Sequence, residues 1–198
     1  MQLISDQQLF DELDLTSDAL RSVARAVGDS DMAAARSAFA LYLRSRPYPV
    51  PLPLDEHQDQ RGHGETVGDV AAEANRLCDH IFEFVGHPPQ QLGKRLAWNE
   101  DPVDYEQWPI SFNRHFHWIT LGKAYRATGN EKYAEEFVAQ LRSWIDAMPV
   151  EIGKRWIQAG WAPEGKMSLS LDAGIRMGQT WVPAFYAFLN SPAFGDDD

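Results

Sequence analysis

The sequence predicts an all-α fold built from stacked antiparallel helical hairpins. Three observations carry it. In residues 130–148, Tyr133, Phe137, Leu141, Trp144, Ile145 and Met148 recur at i, i+4, i+8, i+11, i+12 and i+15, one apolar face opposite Glu135, Glu136 and Arg142. Just before them, 112–127 reads as a helix that is apolar nearly all round, with Gly129 as its C-cap and Asn130 as the next N-cap, and a turn that short forces the pair antiparallel. Elsewhere apolar residues return at helical spacing, and only 81–99 suggests strands.

The elements follow in order. Residues 5–13 read as a short helix with Leu9, Phe10 and Leu13 inward. Thr16 is the expected N-cap of a helix running to Val27 through Leu20, Val23, Ala24 and Val27, and Gly28 ends it. Asp29 or Ser30 then caps a third helix with Ala33, Phe39, Ala40 and Leu43 on its inner face. The proline-rich run 46–64 is an extended or irregular connection. Thr66 caps a helix whose Val70, Ala74, Leu77 and Cys78 share a face. IFEFVG (81–86) and RLAWN (95–99) suggest a short β-hairpin or two extended arms, and a Pro-containing loop with Trp108 leads into the central hairpin. A loop from 149 to 165 precedes a last helix, 168–190, with Leu171, Ile175, Val182, Phe185 and Leu189 as its stripe and Pro183 as a kink.

Length and composition bound the rest. A chain of 198 residues is one domain or a large piece of one, and it can bury a sizeable core. With a net charge of −11 and no Lys/Arg cluster it lacks the surface a nucleic-acid binder needs, although a local cationic cleft on an acidic body still suits a polyanion. No segment approaches the ~20 apolar residues that span a bilayer, and the acidic start, MQLISDQQLFDELDL, is unlike a secretion signal. Cys78 is the lone cysteine, so no internal disulfide forms, and its helical setting reads as small core rather than nucleophile.

Two clusters hold chemistry. Asn113, Arg114, His115 and His117 crowd among Phe112, Phe116 and Trp118 at the start of the central hairpin, where a helix N-terminus favours anions and Arg can fork onto carboxylate or sulfate. The alternative is an Arg–carboxylate pair that closes a loop. In LDAGIRMGQTWVPAF (171–185), Arg176, Gln179 and Trp181 lie close in sequence, and Gly174 and Gly178 are four apart. They form either a packing notch with a buried arginine or an aromatic and cationic wall for an acidic sugar. His115 and His117, two apart, diverge on a helix, so no metal site is expected, and no motif calls for a cofactor. The acidic residues are scattered and default to solvated surface.

Trp118-x-x-Leu121-Gly122-x-x-Tyr125 fits the tetratricopeptide signature, but shifting by ~34 residues either way finds no copy. A helical-repeat protein-binding scaffold remains an alternative, as does an (α/α) glycoside hydrolase with two carboxylates about 5–9.5 Å apart.

Taken in order, Trp108, Asn113-Arg114-His115, LGKAY (121–125), TGNEKYA (128–134), SWIDAMP (143–149) and LDAGIRMGQTW (171–181) resemble the N-terminal helical domain of the heparinase II/III polysaccharide lyases, heparan-sulfate and alginate lyases among them. The resemblance covers about 80–190 well and the first 50 residues loosely. It implies that 1–198 is the N-terminal part of an incomplete (α/α) toroid, with a β-sandwich domain expected downstream. It further implies β-elimination on a uronic-acid-containing glycan: the uronate carboxylate is neutralised so that the C5 proton can be abstracted, and a Tyr-type group serves the leaving oxygen. The neutralising Asn and the Tyr and His groups are expected beyond the LDAGIR block, so no residue here is assigned a catalytic role, and the chain alone is expected to be inactive. Asn113, Arg114, His117, Arg176 and Trp181 are the expected groove contacts. A periplasmic or secreted location is suggested by the resemblance alone.

Overall fold

The computed structural model describes residues 5–46, 67–84, 86–105, 107–147 and 169–196. Thr66, Met148, the proline-rich run from Pro47 and the loop from Pro149 to Gly165 lie outside them. The class is all-α, as expected. The chain divides into two compact units, Met1–Pro49 with Gly195–Asp198, and Val50–Phe194.

The first unit holds α1 (Asp6–Asp11), a 3₁₀ turn (Asp18–Leu20), α2 (Arg21–Gly28) and α3 (Met32–Ser45). Ser5 opens α1 with a capping box, its hydroxyl accepting from Gln8 N–H while the Gln8 side chain accepts from Ser5 N–H. The expected cap at Thr16 is not one: its hydroxyl is spent on Asp14, and the chain enters α2 through the 3₁₀ turn. Asp31, rather than Asp29 or Ser30, caps α3 by accepting from Ala34 N–H. Ser30 instead takes the left-handed conformation between the helices (φ 58). Phe10, Val23, Ala26 and Ala35 form the core, with Leu13, Leu20 and Phe39 packed on it. Ala35 therefore replaces the expected Ala33, which is exposed.

The second unit begins with α4 (Val67–Cys78), followed by β1 (Ile81–Phe82) and β2 (Gln90–Gln91), paired antiparallel with Ile81 opposite Gln91. The second arm is thus not 95–99. Leu96 and Trp98 alternate like strand residues, yet they are buried anchors around a turn closed by Glu100 N–H on Ala97 C=O. The expected loop at Trp108 is a helix, α5 (Gln107–Asn113), with Pro109 in its first turn, where a missing N–H costs no hydrogen bond. α6 (Phe116–Thr128) and α7 (Lys132–Ala147) form the expected hairpin: Gly129 is left-handed at φ 67, and Asn130 Oδ1 accepts from Lys132 N–H. α6 packs on four elements, α4, α7, α9 and a π-helical segment, which explains why apolar residues surround it.

The last helix is three pieces: α8 (Leu169–Ile175), the π-helical segment Arg176–Trp181, and α9 (Val182–Phe188). The helix widens just before Pro183, which relieves the clash that the ring would make with the carbonyl four residues back. The expected stripe is displaced at its start, whereas Leu189 is buried as expected. Leu171 is 58% exposed, while Asp172, Arg176, Thr180, Ala184 and Phe188 are the buried line. Gly174 and Gly178 form no notch, since a Cβ at either would meet nothing within 4 Å. None of the helices among the described residues is long and apolar enough to cross a membrane.

Candidate functional site

The site is built where α5 stops and α6 begins. The single helix expected over 112–127 is broken. His115 adopts a left-handed conformation (φ 60), so Asn113 ends α5 and α6 restarts at Phe116. A helix end leaves carbonyls without partners. Here the π-helical segment supplies them: Arg176 Nη1 donates to Asn113 C=O at 3.1 Å, and Thr180 Oγ1 donates to Arg114 C=O at 2.8 Å. A buried polar face at 172, 176 and 180 thus closes the carbonyl end of another helix.

Asn113 is a knot in this arrangement. It is 1% exposed, its Nδ2 donates to Trp98 C=O and Pro109 C=O at 2.7 Å each, and its Oδ1 accepts from Trp144 Nε1 at 2.8 Å. Two carbonyls and one indole N–H leave no choice of amide orientation. Arg114 Nε donates to Asp172 Oδ1 at 2.8 Å, with 26% of the arginine side chain exposed and none of the aspartate's. Burial pushes the Arg176 guanidinium below its ordinary range, and the nearby Asp172 pulls it back up. The same guanidinium lies over the Trp144 ring, 5.4 Å from its centroid.

The histidines are interior groups. His115 stacks on Trp118 at 4.0 Å between centroids, and its Nδ1 accepts from Trp181 Nε1 at 2.9 Å, so any ring proton sits on Nε2. Burial, and then the proximity of His117 and Arg176, hold it well below the usual imidazole range. Burial takes His117 down to about 3 against an opposing hydrogen bond to Gln140. Gln140 Oε1 accepts from Trp118 Nε1 (2.8 Å) and faces His117 Nε2 (3.0 Å), while its Nε2 donates to Glu136 Oε1 (2.7 Å). Glu136, expected on the solvent face, is turned inward and also meets His80 Nε2 at 3.1 Å. Among the described residues no cluster of His, Cys, Asp or Glu could hold a metal ion. The Cys78 thiol is pushed up to about 11, by burial first and then by Glu136, which leaves it unreactive at neutral pH.

Comparison with known proteins decides the family. The model of the heparinase II/III N-terminus matches residues 9–198. The chain belongs to the heparinase II/III family. It is 27% identical over 187 residues, 93% of its length, to a heparin-sulfate lyase of Pedobacter heparinus, and 30% identical over 141 residues, 65% of its length, to one of Bacteroides stercoris. It spans 27% and 21% of those two proteins. The crystal structure of heparan sulfate lyase from Pedobacter heparinus is similar at a TM-score of 0.73 and 25% identity, covering 96% of this chain and 29% of that one. The all-α class and the identity of the family's N-terminal helical domain therefore stand. Neither a tetratricopeptide array nor a glycoside hydrolase is favoured by these matches.

Within this heparinase-family domain the five expected contact residues converge on the α5–α6 junction but differ in access. Asn113, His117 and Arg176 are buried, whereas Arg114 and Trp181 keep exposed surface. Sequence reading missed Asp172, Thr180 and Gln140. For the first two a signal existed: Asp172, Arg176 and Thr180 stand at i, i+4 and i+8, one polar line along a helix. Gln140 gave none, because a glutamine among exposed helix positions looks like surface. Tyr125 and Tyr133, which sequence reading kept out of any catalytic role, bond to Glu131 and Asn75.

Proposed function

We propose that the chain is the N-terminal helical domain of a lyase that cleaves a uronic-acid-containing glycosaminoglycan by β-elimination, and that Arg114 and Trp181 meet the glycan. The observation that carries the substrate class is the match to heparin-sulfate lyases along 93% of the chain; it favours a glycosaminoglycan over alginate. The geometry supports the contacts. Arg114 commits its Nε to Asp172 and keeps its two Nη groups for a carboxylate or sulfate. Trp181 has its indole N–H fixed on His115, which orients the ring for stacking on a sugar face. In this reading Asn113, His117 and Arg176 position the junction rather than touch the substrate. No residue here is assigned to proton transfer, and a following β-rich domain would complete the groove.

The test is affinity. Titrating the chain with heparan-sulfate oligosaccharides should give saturable binding, and Arg114→Ala should weaken it about tenfold. Unchanged affinity alongside a lowered melting temperature would make Arg114 purely structural. In the full-length protein the companion measurement is ultraviolet absorbance of the unsaturated uronate that a lyase, unlike a hydrolase, releases.

A further inference from the structure

His80 stands in the turn between α4 and β1, and both of its ring nitrogens face acceptors. Nδ1 meets Gly93 C=O at 2.9 Å, and Nε2 meets Glu136 Oε1 on α7 at 3.1 Å. A carbonyl and a carboxylate have no proton to give, so the ring satisfies both only as the imidazolium. The backbone serves the same junction: His80 is left-handed (φ 56), and its C=O accepts from Leu92 N–H at 2.9 Å.

The two ring bonds are unequal. Glu136 keeps only 15% of its side chain exposed and also accepts from Gln140 Nε2 at 2.7 Å, so abandoning it would strand a largely desolvated carboxylate. Gly93 is exposed, and its carbonyl can exchange the ring for water at little cost. A neutral ring therefore keeps its proton on Nε2 and turns a bare Nδ1 lone pair toward the Gly93 oxygen, two acceptors that repel. What the Gly93 bond holds is short. Gly93, Lys94 and Arg95 are exposed, whereas Leu92 before them is tied through its backbone, Leu96 after them is buried, and Trp98 C=O accepts from Asn113 Nδ2 at 2.7 Å.

We propose that His80 is a protonation-controlled latch: its imidazolium fastens the segment Gly93–Arg95 to the end of α4 and to α7, and loss of the Nδ1 proton to solvent releases that segment. Leu92, Gly93 and Arg95 form one wall of a cleft of about 620 Å³ that Trp98 and Ala147 also line, so release reshapes the cleft and moves two cations, Lys94 and Arg95. The charged and titratable groups around the ring are Glu136 on α7, Asp79 beside it in the chain, and, near the same carboxylate, Lys132 on α7 and Cys78 at the end of α4. β1 presents Phe82, 6.3 Å away between ring centroids. The Glu136 hydrogen bond, ahead of opposing burial, raises the His80 pKa, so the latch is closed below the ordinary imidazole value and opens as pH rises through the raised one. Cys78, pushed up to about 11, stays neutral throughout. The latch does not depend on the glycan reading.

The experiment is a pH titration of the ¹⁵N-labelled chain by NMR from about pH 5 to about pH 9, which spans the histidine range. The amide cross-peaks of Gly93, Lys94 and Arg95 should shift with the same midpoint as the His80 ring signals, and their order parameters should fall on the alkaline side, while Leu96 and Trp98 stay still. The Nδ1 resonance should move to the position of an unprotonated nitrogen as Nε2 keeps its proton. In His80→Asn, whose side chain tolerates the left-handed backbone, the three amides should be mobile at every pH. Any titration left in that variant belongs to His87, which lies between the two strands with its ring 5.0 Å from Tyr105. The latch is overturned by 93–95 amides that stay still through the His80 transition, by a proton retained on Nδ1, by the absence of that transition, or by rigid 93–95 amides in His80→Asn. The parent titration decides the outcome even where the variant fails to fold.

Discussion

Arg114 and Asp172 stand 58 residues apart in sequence, and Nε of one donates to Oδ1 of the other at 2.8 Å, tying the break between α5 and α6 to the start of the last helix. The carboxylate is wholly buried, its Oδ2 has no hydrogen-bond partner among the described residues, and the arginine keeps a quarter of its side chain exposed. The pair therefore joins an inner structural group to an outer one.

A double-mutant cycle measures that tie. Arg114→Ala, Asp172→Asn and the double variant, unfolded in urea, should show a coupling free energy of about 1–3 kcal/mol. Additivity within about 0.5 kcal/mol would mean that the contact contributes nothing to the fold.

Gln140 satisfies two buried donors at once. Gln140→Leu leaves the Trp118 indole N–H and the His117 ring N–H without acceptors, and should lower stability by about 2–4 kcal/mol. A fall below 1 kcal/mol would show that the interior reorganises around the gap.

The histidines give stability opposite slopes on the two sides of pH 6.5. His80 faces acceptors at both nitrogens, and the Glu136 hydrogen bond, ahead of opposing burial, raises its pKa above the model-peptide value of 6.5. Its contribution is complete below pH 6.5 and is lost as pH rises through the raised folded value. Asp79 and Glu136 support the cation, while Lys132 lies near the same helix edge through its bond to Asn75. His117 behaves oppositely. Its folded pKa is about 3, so the unfolded chain binds the extra proton between pH 6.5 and about 3, and stability falls as pH falls through that window. Melting temperature against pH should therefore decline on both sides. His80→Asn should flatten the alkaline limb, and His117→Gln should reduce the acid limb by up to ~1.4 kcal/mol per pH unit.

Two glycines should respond with opposite signs. Gly129→Ala forces a Cβ into a left-handed C-cap and should cost about 1 kcal/mol. Gly174→Ala sits in α8 with open space around it and should gain about 0.5–1 kcal/mol. Thermal unfolding of both variants checks the pair.

What the sequence revealed, and what it hid, follows from range. The α6–α7 hairpin was legible because Gly129, Asn130 and the spacing from Tyr133 to Trp144 act within a few turns of one another. The break at His115 was not, since a left-handed histidine there is held by Trp118 and by Arg176, Thr180 and Trp181 of the last helix. The displaced stripe has the same cause: Leu171 looks inward by hydrophobicity, but Asp172 is drawn in by Arg114 and Arg176. Arg114 and Trp181 were found from their chemistry, and the buried setting of Asn113, His117 and Arg176 became visible only through partners 15 to 63 residues away.

The wide turns between Arg176 and Trp181 also separate two mechanical duties along one rod. Asp172 ahead of them and Arg176, Thr180 and Trp181 within them serve the junction; after them, Ala184, Ala187 and Phe188 grip the bundle. Deleting one residue inside the wide stretch would swing the forward half by about 100° while leaving the gripping half seated. Relatives that lengthen or shorten their chain at that point can therefore re-aim a cationic group in a single evolutionary step, without rebuilding the scaffold that carries it.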